Sequence, residues 1–274
     1  VIYYATHSTT ARNNAAQADA GIRILLGPDQ LDRVGRLDVP TWVRRYALDN
    51  GAWGAFTTGR TFDSARFWAL LERFGDTFDP RGRFAGSCLR PDWIVCPDIV
   101  AGGMASLRIS LDWLPYVAQY GHPLIAVQDG MTPEDVAPYV DSRVGIFVGG
   151  STDDSPGGGW KWRTLPAWAA LSRELGCYLH VGRVNSARGI RWCAAHGAHS
   201  CDGTSATKWA VNAPGLGAAC RGPLQMALGA VNKIAPAGAG VTVSPRTPGP
   251  PPPTPRRPAV APQESTAPRV QARR

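Results

Sequence analysis

Short apolar runs that do not alternate with polar residues recur along this chain, and most of them stop at an acid, an amide or a glycine. They read as Ile2–Thr6, Ile22–Leu26, Trp42–Leu48, Trp93–Cys96, Leu124–Val127, Val144–Val148, Tyr178–Val181 and Ala198–Cys201. A strand with one wet face alternates with period two, so runs of this kind belong to strands covered on both faces, as in a parallel sheet. Between them lie segments with helical character. Asp63–Phe74 has Asp63 to cap it and Gly75 to stop it, Met104–Gln119 follows, and Thr132–Tyr139 opens with TPED. Leu165–Leu175 and Ser186–His196 complete the helical set, while Ser8–Asp19 reads as loop or helix. Seven or eight strand–helix units in roughly 230 residues is the proportion of an α/β fold of the (β/α)₈ TIM-like barrel type. An open doubly wound sheet is the alternative. No GxGxxG follows the first strand, which removes support for its nucleotide-binding form.

The composition shifts abruptly at Pro236. Pro236–Arg274 holds 11 of the 24 prolines, six arginines and a single acid, Glu264, so five of the chain's eight net positive charges lie there. Such a segment cannot bury enough apolar surface to offset its ordering entropy. The expected organisation is therefore a barrel domain over 1–235 and a disordered, basic, Pro/Arg-rich tail over 236–274. The tail is either a solvated extension or an electrostatic aid to nucleic-acid binding. The six cysteines (Cys88, Cys96, Cys177, Cys193, Cys201, Cys220) contain no CxxC pair. Neither a disulfide framework nor a zinc ribbon is expected, and no metal or cofactor is called for. Val1–His7 is too short for a signal peptide, and no apolar run approaches the ~20 residues of a membrane span. The expected setting is a reducing cytoplasm, away from membranes.

In a parallel barrel the strand ends converge on one mouth. They carry Asp49, Asp98, Gln128, Gly149-Gly150, the stretch His180–Arg183, and Asp202. A carboxylate accepts from a ring N–H and an exocyclic amine, while an amide and glycine N–H groups donate to a carbonyl oxygen. Guanine presents that pattern on its Watson–Crick edge. Two further carboxylates can divide nucleophilic and proton-transfer work at a glycosidic carbon. Asp202 lies in His199–Trp209 (HSCDGTSATKW), where it ends a buried strand. By itself Asp-Gly-Thr-Ser is more often a turn or a helix N-cap than a nucleophile, and the other strand ends are what favour chemistry. His180 and Arg183 are expected to touch a phosphate or sugar, as is Lys208. Lys161 and Arg163 flank Trp162 after the loop Ser155–Gly159, a combination suited to gripping a nucleic-acid backbone.

The ordered motifs LDNGA (48–52), PDIV (97–100), VQDG (127–130), FVGGS (147–151), HVGR (180–183) and SCDGT (200–204) resemble the tRNA-guanine transglycosylase superfamily. More narrowly they are similar to its shorter phage and bacterial branch, which places 7-deazaguanines in DNA (deoxypurine-in-DNA protein A). The resemblance spans roughly Ile2 to Val211. It implies a barrel in which guanine leaves and a free deazapurine of the preQ0 type enters, with DNA as the partner and tRNA as the alternative. On that resemblance Asp202 is the nucleophile. Asp49 is the acid/base residue, in Asp-Asn-Gly-Ala where the family has Asp-Ser-Gly-Gly. Asp98 and Gln128 read the guanine edge, and Gly149 and Gly150 donate to its carbonyl. PDIV matches only loosely. The tRNA enzymes carry a CxCxxC…His zinc subdomain after the nucleophile, whereas only Cys220 follows Asp202 here. No structural zinc of that type is expected, and tRNA loses ground to DNA. An N-glycosidase, in which water resolves the intermediate, is a further alternative.

Overall fold

The computed structural model describes residues 1–31, 45–74, 91–150 and 159–229, with side chains through 221. Eight strands close a barrel in chain order: β1 (Ile2–Thr6), β2 (Arg23–Leu26), β3 (Tyr46–Leu48), β4 (Ile94–Val95), β5 (Pro123–Val127), β6 (Gly145–Val148), β7 (Leu179–Val181) and β8 (Ser200–Gly203). Every neighbouring pair is parallel, and β1 pairs with β8, Tyr4 opposite Asp202, to complete the ring. The chain is thus an α/β TIM-like barrel, as the non-alternating runs predict. Residues 42–44 of the expected third strand lie outside the described residues. So do the 236–274 tail and its boundary with 1–235.

The helices are α1 (Ala11–Asp19), α2 (Ala52–Thr57), α3 (Ser64–Phe74), α4 (Met104–Val117), α5 (Pro133–Val136), α6 (Trp160–Leu175), α7 (Ala187–Ala195), α8 (Ser205–Lys208) and α9 (Ala213–Gly229). Their starts follow local chemistry. Asp63 accepts the Arg66 N–H at 3.0 Å ahead of α3, and the Ser186 hydroxyl accepts the Gly189 N–H at 3.1 Å at the start of α7. The sequence reading missed α2 and α9. α2 spans six residues, and the Gly- and Pro-containing α9 has weak intrinsic helix propensity. It also began α6 five residues late, at Leu165 instead of Trp160. The helix passes through Pro166, anchored by Trp162 and Trp168, both fully buried.

Both faces of the strands are covered, which explains the missing alternation. Ile125, Val127, Ile146, Val148, Leu179 and Val181 face outward, against Trp162, Leu165, Trp168 and Ile190 of the helical layer. Tyr4, Leu25, Ala47, Trp93, Val95, Leu124 and Ala126 fill the barrel with Phe147 packed on them. Each fully buried large aliphatic side chain contributes about 1.5–3 kcal/mol relative to exposure. At the strands' N-terminal end the interior closes on Asp92, which accepts from the Tyr4 hydroxyl (2.7 Å), Arg23 (2.9 Å) and Arg45 (3.0 Å). Among the described residues no helix is long and apolar enough to cross a membrane.

Candidate active site

The C-terminal ends of the strands gather the carboxylates that the sequence places there. Asp49 leaves β3 with its N–H on the Leu26 carbonyl (2.8 Å), which extends the sheet by one residue. Gly51, at φ +80°, turns the chain back so that its N–H reaches Asp49 Oδ2 at 3.3 Å. A side chain at 51 would be strained by that φ and would press on Pro28 at 3.0 Å, so glycine is required here. Asn50 ties two strand ends together. Its Nδ2 donates to the Cys96 carbonyl (2.8 Å) and to Asp98 Oδ1 (2.7 Å), and its Oδ1 accepts the Ala52 N–H (2.8 Å). Gln128, buried at the end of β5, donates to Asp98 Oδ2 through a short contact. Asp98 is therefore gripped on both oxygens by amides.

Burial pushes the Asp49 carboxyl up to about 7, and the nearby charges of Asp202 and Asp98 push in the same direction, against the Gly51 and Asn50 N–H groups. Burial likewise raises Asp98 to about 6, offset by Asn50, Gln128 and the Arg183 charge. The charges of both Asp98 and Asp202 act on Asp49, and all three carboxylates stand at the C-terminal ends of their strands.

Asp202 is held differently. Its Oδ1 accepts from His180 Nε2 (2.9 Å) and from the Arg183 N–H (3.3 Å). Arg183 adopts φ +56°, a left-handed conformation uncommon for a non-glycine residue. Its guanidinium sits 4.0 Å over the Trp53 ring and donates to the Gly150 carbonyl in a short contact. Gly182 is needed beside the carboxylate, because a Cβ there would stand 2.6 Å from Phe147 and 3.5 Å from Asp202 Oδ1.

Three placements correct the sequence reading. His180 is fully buried beneath Asp202, with both ring nitrogens engaged, and cannot touch a phosphate or sugar. Lys161 is also fully buried, on the inward face of α6, where its Nζ donates to the Gly182 carbonyl at 2.6 Å. It braces the β7 end and does not grip nucleic acid. Gly149 already donates its N–H to the Val127 carbonyl at 3.0 Å, so of the glycine pair only Gly150 keeps a backbone donor without an acceptor among the described residues. Arg163 and Lys208 are exposed. Asn50 and Trp53 were not named from the sequence. Asn50 stands where the resembling motif has Ser, and that substitution, next to a strand-end Asp, was the available signal. Among the described residues no group of three or more His, Cys, Asp or Glu side chains is arranged to hold a metal, and Cys96, Cys177, Cys193, Cys201 and Cys220 are free thiols. Cys88 lies outside the described residues.

Fold and site together define an eight-stranded α/β barrel with three carboxylates and two amides at the strand ends. No protein-family model matches the sequence, and no curated protein matches it. Among solved structures, a chain of the Amycolatopsis orientalis BexX/CysO complex is similar at 13% identity and a TM-score of 0.50, over 87% of this chain and 94% of that one. A mandelate oxidase aligns at 16% identity and 0.46, over 82% of this chain and 73% of that one. At such identities the likeness is one of fold.

Proposed function

We propose that this protein is an enzyme, a guanine transglycosylase that exchanges guanine in a nucleic acid for a 7-deazaguanine of the preQ0 type. The observation that carries the reading is the gathering of Asp49, Asp98 and Asp202 at the C-terminal ends of the strands, with Asn50 and Gln128 locking Asp98. An acidic mouth repels phosphate, so its cost calls for a chemical return. Asp98 and Gln128 present an acceptor and an amide to the edge of a planar base, and Gly150 offers a backbone N–H to its carbonyl.

Asp202 Oδ2 attacks C1′, forming the C1′–O bond as the C1′–N9 bond breaks through an oxocarbenium-like transition state. The departing guanine takes its proton from Asp49, whose carboxyl near 7 holds a proton on a sizeable fraction of molecules at neutrality. The entering deazaguanine returns its N9 proton to Asp49 and attacks C1′ from the face the guanine left. The β configuration is retained and Asp202 is released. A base buried in a duplex does not reach a barrel mouth, so the nucleotide is flipped out or met single-stranded. DNA is the favoured polymer because the chain lacks the zinc-subdomain cysteines of the tRNA enzymes.

The test is nucleoside mass spectrometry of DNA and tRNA from cells expressing the chain, paired with exchange of labelled guanine by the purified protein. Deazaguanine in DNA is the expected result. Deazaguanine confined to tRNA would transfer the reading to a tRNA transglycosylase. Free guanine released without incorporation would make the protein an N-glycosidase.

A further inference from the structure

The interior of the barrel holds a polar column that the proposed chemistry does not use by itself. His180, on β7, is enclosed by Trp93 (ring centroids 4.3 Å apart), Phe147 (stacked, 4.9 Å) and Tyr4 (6.0 Å). Its Nε2 meets Asp202 Oδ1 at 2.9 Å, and its Nδ1 meets Ser200 Oγ at 2.7 Å. Ser200 in turn receives the Tyr178 hydroxyl at 2.9 Å. Register produces this column. His180 pairs with Ser200 across β7 and β8, and Asp202 follows Ser200 by two residues, so both side chains of β8 point to the same face.

We propose that His180 is the positioning residue of Asp202: a neutral imidazole, protonated at Nε2, that holds Oδ1 and so makes Oδ2 the attacking oxygen. The inference rests on Asp202 being the nucleophile of the proposed reaction. Every hydrogen in the column is directed by the carboxylate at its end. An ionised carboxylate only accepts, so Nε2 carries the proton. In a neutral ring Nδ1 is then an acceptor, so the Ser200 hydroxyl donates to it. The Ser200 oxygen accepts in turn from Tyr178. Burial in an aromatic cage lowers the His180 pKa, and the Lys161 charge acts in the same direction, while Asp202 opposes both. Among the described residues, the charges acting on the imidazole are those of Asp202 and Lys161, and Ser200 and the three aromatic rings contact it.

The Arg183 N–H also donates to Oδ1, whereas Oδ2 has no donor among the described residues. One oxygen is held by two N–H groups and the other keeps its lone pairs for C1′. Once the glycosyl ester forms, Oδ1 becomes its carbonyl oxygen. The His180 N–H then supports the charge that returns to the carboxylate as the second base displaces it.

The experiment compares His180→Phe, His180→Gln and Ser200→Ala with the wild-type full chain, using base exchange and ¹⁵N spectra of the imidazoles. The chain has five histidines, and the His180 variants assign the signal. His180→Phe keeps a ring in the aromatic cage and removes both nitrogens. It should lower kcat about tenfold to a hundredfold, the scale of a misplaced reacting group, with KM for the nucleic acid little changed. His180→Gln retains an amide donor and should recover part of that loss. The wild-type spectrum should show a ring still mostly neutral and protonated at Nε2 at about pH 6.5, where an ordinary imidazole is half charged, and Ser200→Ala should shift it. A His180→Phe protein that folds and keeps the wild-type kcat would overturn the proposal, as would a ring protonated at Nδ1 or at both nitrogens. A wild-type chain that exchanges no base would instead overturn the proposed reaction, leaving the spectrum to decide the His180–Asp202 contact alone.

Discussion

The two sides of the barrel mouth hold their carboxylates by opposite means. On the β7–β8 side a single carboxylate, Asp202, rests on a column of side chains rising through the barrel interior, with Oδ1 bound to His180 and to the Arg183 N–H. On the β3–β5 side Asp49 and Asp98 are held laterally by groups from neighbouring strand ends, namely Asn50, Gln128 and the Gly51 N–H. Support from below sets the direction of one oxygen. Burial raises both carboxyls on this side, to about 7 and about 6, with the Asp202 and Asp98 charges adding to the rise at Asp49, and so governs where a proton resides. The comparison assigns geometry to one half of the mouth and proton transfer to the other.

The largest effect should come from Asp202→Asn, which keeps the shape and removes the nucleophile. Base exchange should fall by on the order of 10⁴-fold or more while substrate binding persists. Wild-type exchange of labelled guanine by this variant would move the nucleophile to another residue and end the division of labour.

Asp49→Asn should lower exchange by about 10²–10⁴-fold and remove the limb of the pH–rate profile near 7. The same variant tests the raised carboxyl through stability. A carboxyl raised in the folded state binds its proton more tightly there than in the unfolded chain. The stability it contributes is present below about pH 4, the unfolded value, and is lost as pH rises through about 7. Asp49→Asn does not carry that loss. Its Tm should exceed that of the wild type at pH 8, and the gap should close toward pH 4. A gap that is constant with pH would show that the Asp49 carboxyl is not raised in the folded protein.

A smaller effect is expected from Asn50→Ala, which strips one amide from Asp98 and the link to the Cys96 carbonyl. We expect KM for the base to rise about tenfold, as for the loss of a hydrogen bond to a charged group, with kcat less affected. If kcat falls and KM holds, Asp98 belongs to the chemistry and not to base reading. The smallest effects belong to the exposed cations. Arg163→Ala and Lys208→Ala should each leave kcat unchanged and flatten the salt dependence of nucleic-acid binding by about one unit where they touch a phosphate.

The eight short apolar runs and the polar residue closing most of them were legible in the sequence, because burial on both faces and the end of a strand are written in consecutive residues. From these followed the barrel and the gathering of Asp49, Asp98, Gln128 and Asp202 at its strand ends. Partnership was not legible. Lys161 reads as a surface cation beside a tryptophan, yet α6 starts early enough to turn it inward, onto the Gly182 carbonyl. Gly149 reads as a free donor until the β5–β6 ladder takes its N–H. His180 reads as a neighbour of the mouth, and only the register of β7 against β8 places it under Asp202, 22 residues away in the chain. Composition and local pattern determine which residues form strands and where those strands end. Which side chains then meet at one height inside the closed barrel depends on inter-strand register, a relation between distant segments that no window of sequence contains.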